Sequence, residues 1–225
     1  MNAALDHLVV AAATLDEGVA WCTATLEVAP GPGGEHPLFG THNRLLRLQG
    51  AEAAYLEIIA TNPAAPPTRP APLKRWFDLD VPAVQARLSS HGPQLIHWVA
   101  RVNDIDGARR TWLAQGIDPG PVLAASRQTP RDLLQWRITV PDDGRRGFDG
   151  VLPTLIQWGA RHPTDTMAPE GPRLTRLTLS HPQADRLRQA LAAIGLDGIA
   201  VREGAPALDA ELSVGARPVH CLSHP

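Results

Sequence analysis

Cysteine is scarce: Cys22 and Cys221 are the only two in 225 residues, they lie near opposite ends of the chain, and neither belongs to a CxxC pair. A disulfide framework and a cysteine zinc site therefore have little support, and two buried, reduced thiols are expected. An excess of one charge is also lacking, since 21 Lys and Arg against 23 Asp and Glu leave a net charge of −2. Without a field of one sign, neither a nucleic acid nor an anionic membrane is an expected partner. No apolar run approaches the length of a bilayer span, and the N-terminus has no basic region ahead of an apolar core, so a cytoplasmic location is expected. The motifs GxGxxG after a strand, GxxxxGK[ST], GxSxG and HExxH are missing, which leaves dinucleotide, nucleoside triphosphate, serine hydrolase and zincin readings unsupported.

What the chain does have is apolar residues, 44% of the total, with 22 prolines and 19 glycines spread along its length. Such a chain can bury a sizeable core made of many short elements. One stretch organises it. Ala4-Leu5-Asp6-His7-Leu8-Val9-Val10 reads as a strand, and Leu95-Ile96-His97-Trp98-Val99-Ala100 repeats its pattern with a histidine in the same place. Each is followed by a helix and further strands. Alternation puts Leu5, His7 and Val9 on one face and Leu8 and Val10 on the other.

Taken in order, residues 1–60 read as a first β-α-β-β unit, with a further short strand in the glycine loop making βαβββ. Thr14 or Asp16 caps its helix, and Tyr55-Leu56-Glu57-Ile58-Ile59 is its last strand. Residues 61–93 form a proline-rich linker or covering loop with a short helix near residues 82–91. Trp76 and Phe77 lie inside that segment, and packing on a sheet edge is their expected place, with a cleft mouth as the other. Residues 94–160 repeat the unit, with a helix capped near Asp104, a strand through Trp136 and Arg137, and a last strand Leu152 to Trp158. Residues 161–225 read as a third, shorter β-α-β-β-β unit, expected to cover an edge or contact a second subunit. A homodimer is compatible with that.

Glu57 and Gln157 are polar groups inside apolar strands, as are His7 and His97. A buried carboxylate needs a compensating arginine, hydrogen-bond network or metal. If the two units lie side by side about a pseudo-two-fold, His7, Glu57, His97 and Gln157 converge in one cleft and suit a divalent first-row ion. A salt bridge from Arg44, Arg47 or Arg101 to Glu57 is the competing account. His42 and Asn43, after the glycine loop, are candidate substrate contacts. Arg137 is a third, able to receive a carboxylate. Trp98 and Trp158, adjacent to the polar pair, are expected to face away from the cleft.

The paired units with His7, Glu57, His97 and Gln157 resemble the vicinal oxygen chelate superfamily. The stretches Leu5 to Val9, Gly40-Thr41-His42-Asn43, Tyr55 to Ala60, Trp136-Arg137 and Leu152 to Gly159 are similar to bacterial glyoxalase-like domain proteins. The resemblance implies an α+β fold of tandem βαβββ modules, the glyoxalase/bleomycin resistance/dioxygenase-like fold, with the third unit added. It also implies a site where a divalent metal (Mn, Fe, Ni or Zn) acts as a Lewis acid toward a small-molecule substrate with neighbouring oxygens. Glyoxalase-type members use a glutamate of the second module to move a proton. Gln157 stands at that place and cannot act as a base, which leaves Glu57 as the catalytic residue of an expected lyase or isomerase. A metal-free protein that binds and sequesters a small molecule is the alternative.

Overall fold

Two strands buried on both faces form the centre of the molecule, as their near-continuous apolar sequences require. They are β1 (Ala3–Ala11) and β5 (Gln94–Val102), paired antiparallel in a computed structural model that describes residues 2–129 and 133–223. Residue 1 of the predicted first unit, residues 130–132 of the second and residues 224–225 of the third lie outside the described residues.

From β1 the first module runs through α1 (Leu15–Leu26), β2 (Glu35–His36), β3 (Thr41–Arg47) and β4 (Tyr55–Thr61). Thr14 caps α1 in a reciprocal box with Glu17, the arrangement that satisfies two backbone donors at once. After α2 (Pro82–His91), the second module follows as β5, α3 (Ile105–Ala114), β6 (Val122–Gln128), β7 (Leu133–Thr139) and β8 (Thr154–Trp158). In both modules the first strand pairs parallel with the last. One eight-stranded sheet results, in the order β2-β3-β4-β1-β5-β8-β7-β6. It curls, because Arg127 on β6 at one end reaches Asn43 on β3 near the other.

Two apolar layers flank this sheet. Leu8, Val10, Leu56, Ile58 and Trp98 face the helices, whereas Val9, Ile59, Ile96, Trp136 and Ile156 face the inside of the curl. Trp76 and Phe77 of the proline-rich segment join the inner layer, so they do not pack on an outer edge.

The third unit comprises β9 (Arg173–Ser180), α4 (Ala184–Ala192), β10 (Ala200–Arg202), β11 (Ala207–Val214) and β12 (Arg217–Leu222). Its element order is the expected one, but its pairing differs. The sheet order is β10-β9-β11-β12, and the first strand pairs parallel with the second rather than the last. Leu177, Leu179, Leu208, Leu212 and Cys221 merge with the helix-side core, and β11 and β12 touch β5. The unit therefore covers the outer face of the main sheet rather than an edge. Cys22 and Cys221 are both free and buried in that core, where burial pushes both thiols up to about 12.

Candidate functional site

A β-bulge builds the site. In the β1–β5 ladder Leu5 pairs with Ala100 and His7 with Val99, so Asp6 is the extra residue. An inserted residue breaks the strict alternation, and Asp6 and His7 both turn to the inside while Leu5 stays with the helix-side core. This corrects the expectation that Leu5 shares a face with His7.

Asp6 is fully buried, and its carboxylate accepts three hydrogen bonds: from His7 Nδ1 at 2.6 Å, Trp158 Nε1 at 2.9 Å and His162 Nε2 at 3.0 Å. Burial works to raise its pKa, but the bonds and charges of His162 and His7 outweigh it and hold the carboxyl well below the usual carboxylate range. An ionised carboxylate only accepts, so His7 carries its proton on Nδ1 and turns Nε2 toward the cleft. There Nε2 lies 3.6 Å from Glu57 Oε2, and the His7 ring stacks on Tyr55. The gap leaves Nε2 short of a hydrogen bond to the protein.

Glu57 is held from its other side, where Asn43 Nδ2 donates to Oε1 at 2.6 Å. The same amide donates to His36 Nε2 at 3.4 Å, and its oxygen accepts from Gly34 N at 2.8 Å and Arg127 Nη1 at 3.3 Å. Burial lowers the His36 pKa to about 3, helped by the Arg127 charge, so that imidazole is neutral. Charge and hydrogen bonding thus run in one chain from Arg127 through Asn43 and Glu57 to His7 and Asp6.

The second module offers a neutral counterpart. Val9 of β1 pairs with Glu57, and the matching Val99 of β5 pairs with Thr154. Thr154, not Gln157, is therefore the register equivalent of Glu57. A bulge at Ile96 turns His97 inward, but both its nitrogens are engaged: Nε2 accepts from Thr154 N at 3.2 Å and lies 3.0 Å from its hydroxyl, and Nδ1 donates to Gly150 O at 3.1 Å. The Phe77 ring lies 5.0 Å away, and burial lowers the His97 pKa to about 3. Gln157 points to the opposite face, where its Oε1 accepts from Ile105 N at the start of α3.

The predicted substrate contacts divide in the same way. Asn43 lines the cleft, whereas His42 pairs in register with Ala60, which faces the helices. Arg137 also faces α3 and holds Asp106 with two hydrogen bonds of 2.8 and 2.9 Å. Trp158, expected to face away, lines the cleft, while Trp98 packs in the helix-side core. The four predicted metal ligands do not converge. Only His7 and Glu57 face one space, and among the described residues no three His, Cys, Asp or Glu side chains are arranged to hold an ion. The donor set does not fit the predicted metal.

The cleft itself is narrow, about 30 Å³, with walls that include Tyr55, Trp76, Phe77, Trp136, Ile156 and Trp158 above His7 and Glu57. Larger cavities adjoin it on two sides. One of about 380 Å³ shares His36, Trp76 and Trp136 with it, and one of about 420 Å³ shares Leu45, Arg127 and Pro163. Sequence reasoning missed Asp6, His36, Arg127 and His162. A signal existed only for Asp6, an acidic residue beside a histidine in an apolar strand.

Residues 5–195 match the family model described as a glyoxalase-like domain. No curated protein matches the sequence significantly. Among solved structures, a hypothetical protein from Staphylococcus aureus is similar over 99% of this chain and 85% of its own, at 14% identity and a TM-score of 0.57. Methylmalonyl-CoA epimerase from Mycobacterium tuberculosis aligns over 69% of this chain and 86% of its own, at 19% identity and a TM-score of 0.39. The Streptomyces coelicolor methylmalonyl-CoA epimerase, in complex with 2-nitronate-propionyl-CoA, aligns over 70% and 98%, at 21% identity and a TM-score of 0.43.

Proposed function

Because this chain belongs to the glyoxalase-like domain family of the vicinal oxygen chelate superfamily, we propose that its cleft performs a lyase or isomerase step on a small molecule with neighbouring oxygens, by proton transfer through His7 and Glu57. The observation that carries the reading is the buried Asp6–His7 pair, whose free Nε2 faces Glu57 across 3.6 Å. Divalent metals are common in the superfamily, but the donor geometry here does not supply the predicted four ligands.

His7 Nε2 takes a proton from a carbon next to a carbonyl, and the C–H electron pair passes into the enolate. Asp6 fixes the tautomer that leaves Nε2 free and stabilises the imidazolium that forms, a role with a large effect where such pairs are known. Glu57, held by Asn43 through its other oxygen, takes that proton from the imidazolium across the 3.6 Å gap and returns it to a second position of the substrate, which resets both groups. Return to another face or atom gives an isomer, and loss of a group from the neighbouring carbon gives a lyase product. The aromatic walls exclude water from the enolate.

The test follows hydrogen–deuterium exchange by NMR in D2O, on 2-oxo and 2-hydroxy carbonyl compounds and acyl thioesters, with protein never exposed to chelator or nickel resin. Exchange at the carbon beside the carbonyl is expected from the wild type, with a loss of at least about 100-fold in His7→Asn and Glu57→Gln. Elemental analysis of the same protein is expected to find well under one metal per chain. Stoichiometric metal that disappears in His7→Ala would overturn the metal-free step. The second reading, a sequestering protein, is favoured by the aromatic walls alone, and tight binding of such compounds with no exchange would establish it.

A further inference from the structure

Two buried N–H donors on residues that line the cleft have no acceptor among the described residues. They are Nε of Arg127 and Nε1 of Trp76, and Trp76 is 4% exposed. A buried donor left unpaired costs about 1–3 kcal/mol, so native proteins keep few of them without a reason. Arg127 is also a half-buried cation, its Nε enclosed, with no carboxylate in salt-bridge range among the described residues. Its one cleft-side bond, from Nη1 to Asn43 Oδ1, is long at 3.3 Å. The seat of the side chain is nonetheless specific. A Cβ on Gly34 would lie 2.4 Å from Arg127 Cδ and 2.8 Å from Nε, so the side chain lies directly against the loop and has to shift if that glycine is replaced.

We propose that Arg127 and Trp76 form an anion subsite that takes the carboxylate of a small carboxylic acid. A guanidinium presents Nε–H and an Nη–H as a parallel fork that matches the two oxygens of a carboxylate, and an indole N–H adds a third donor. Arg127 is a wall of both the narrow cleft and the cavity of about 420 Å³, so a ligand held there reaches from the outer space inward. Asn43 joins it directly to Glu57 and thence to His7. The subsite thereby sets which end of a substrate enters first and places the carbon beside the carboxylate toward the acid–base pair. It deepens the reading above and rests on it for the reaction but not for the binding.

Pyruvate and its neutral isostere pyruvamide are the probes, with intrinsic tryptophan fluorescence for affinity and the indole N–H resonance of Trp76, assigned with Trp76→Phe, for contact. The wild type is expected to bind pyruvate at least tenfold more tightly than pyruvamide, with the Trp76 resonance moving on pyruvate binding. Arg127→Gln is expected to abolish the preference with the circular dichroism spectrum retained. Gly34→Ala, which displaces the guanidinium and keeps its charge, is expected to reduce it. Equal affinities in the wild type, no pyruvate binding, or a preference that survives in Arg127→Gln overturns the subsite. His7→Asn separates the two readings: it is expected to keep the pyruvate preference, so a failed exchange assay with that preference intact removes the proton-transfer reading and leaves the subsite standing.

Discussion

The carboxylate of Asp6 does two things that no other group near it can do. It accepts three N–H bonds while fully buried, and it decides which nitrogen of His7 carries the proton. Asp6→Asn keeps the shape but replaces one accepting oxygen with a donor that faces other donors. Its expected cost is about 2–3 kcal/mol by urea unfolding, the scale of hydrogen bonds to a charged group. Its expected effect on exchange is larger, on the order of 10³–10⁴-fold, because the imidazole is free to adopt the other tautomer. Stability that falls while exchange stays at the wild-type rate would show that Asp6 holds the fold alone. Asn43 works in the same manner for Glu57. All four of its amide hydrogen-bonding positions are used, and its two donors and its acceptor face different partners.

At the scale of elements, the glycine loop before β3 is what brings the site's polar groups together. A Cβ on Gly33 would lie 1.9 Å from the backbone oxygen of Asn43, where no side-chain rotation relieves the contact. Gly33→Ala therefore pushes the loop off β3 and carries Gly34 and Asn43 with it. The expected loss is at least about 2 kcal/mol, together with the Arg127-dependent preference for carboxylate, against a change within about 0.5 kcal/mol for Gly198→Ala, whose added Cβ meets nothing within 4 Å. Thermal unfolding of the two variants checks both numbers. The bulges in β1 and β5 are the other element-scale device. Each turns a histidine and its preceding residue to one face, and only in β1 is that residue a carboxylate.

For the molecule as a whole, the buried neutral histidines make stability depend on pH. His36 and His97 have folded pKa values of about 3, against about 6.5 in an unfolded chain. Below pH 6.5 the unfolded chain binds protons that the folded one refuses, so stability is lost as pH falls toward 3 and is intact above 6.5. Asp6 adds the same sign below about 3.9, because only the unfolded chain protonates it there. Between pH 6 and pH 5 the two histidines together are expected to remove about 2 kcal/mol, read from urea unfolding. A flat profile over that range would mean that both imidazoles accept protons in the folded protein. The third unit shares one apolar core with both modules, so the loss is expected in a single transition.

Much of this was legible in the chain. Apolar alternation, capping residues and repeated histidine strands dictate the elements and the two βαβββ modules, because these depend on neighbours a few residues apart. His7 and Glu57 could be picked out for the same reason, as polar groups in apolar strands, and Asn43 by its place directly after the glycine loop. What tertiary structure alone decided was register and facing. A bulge reverses the side of Leu5 and admits Asp6, and a three-residue offset in β8 puts Thr154 in place of Gln157. The curl of the sheet brings Arg127 to Asn43 from 84 residues away. A shift of one residue exchanges the two faces of a strand at no change in local composition, so neither the partner of His97 nor the direction of Arg137 could be read from spacing.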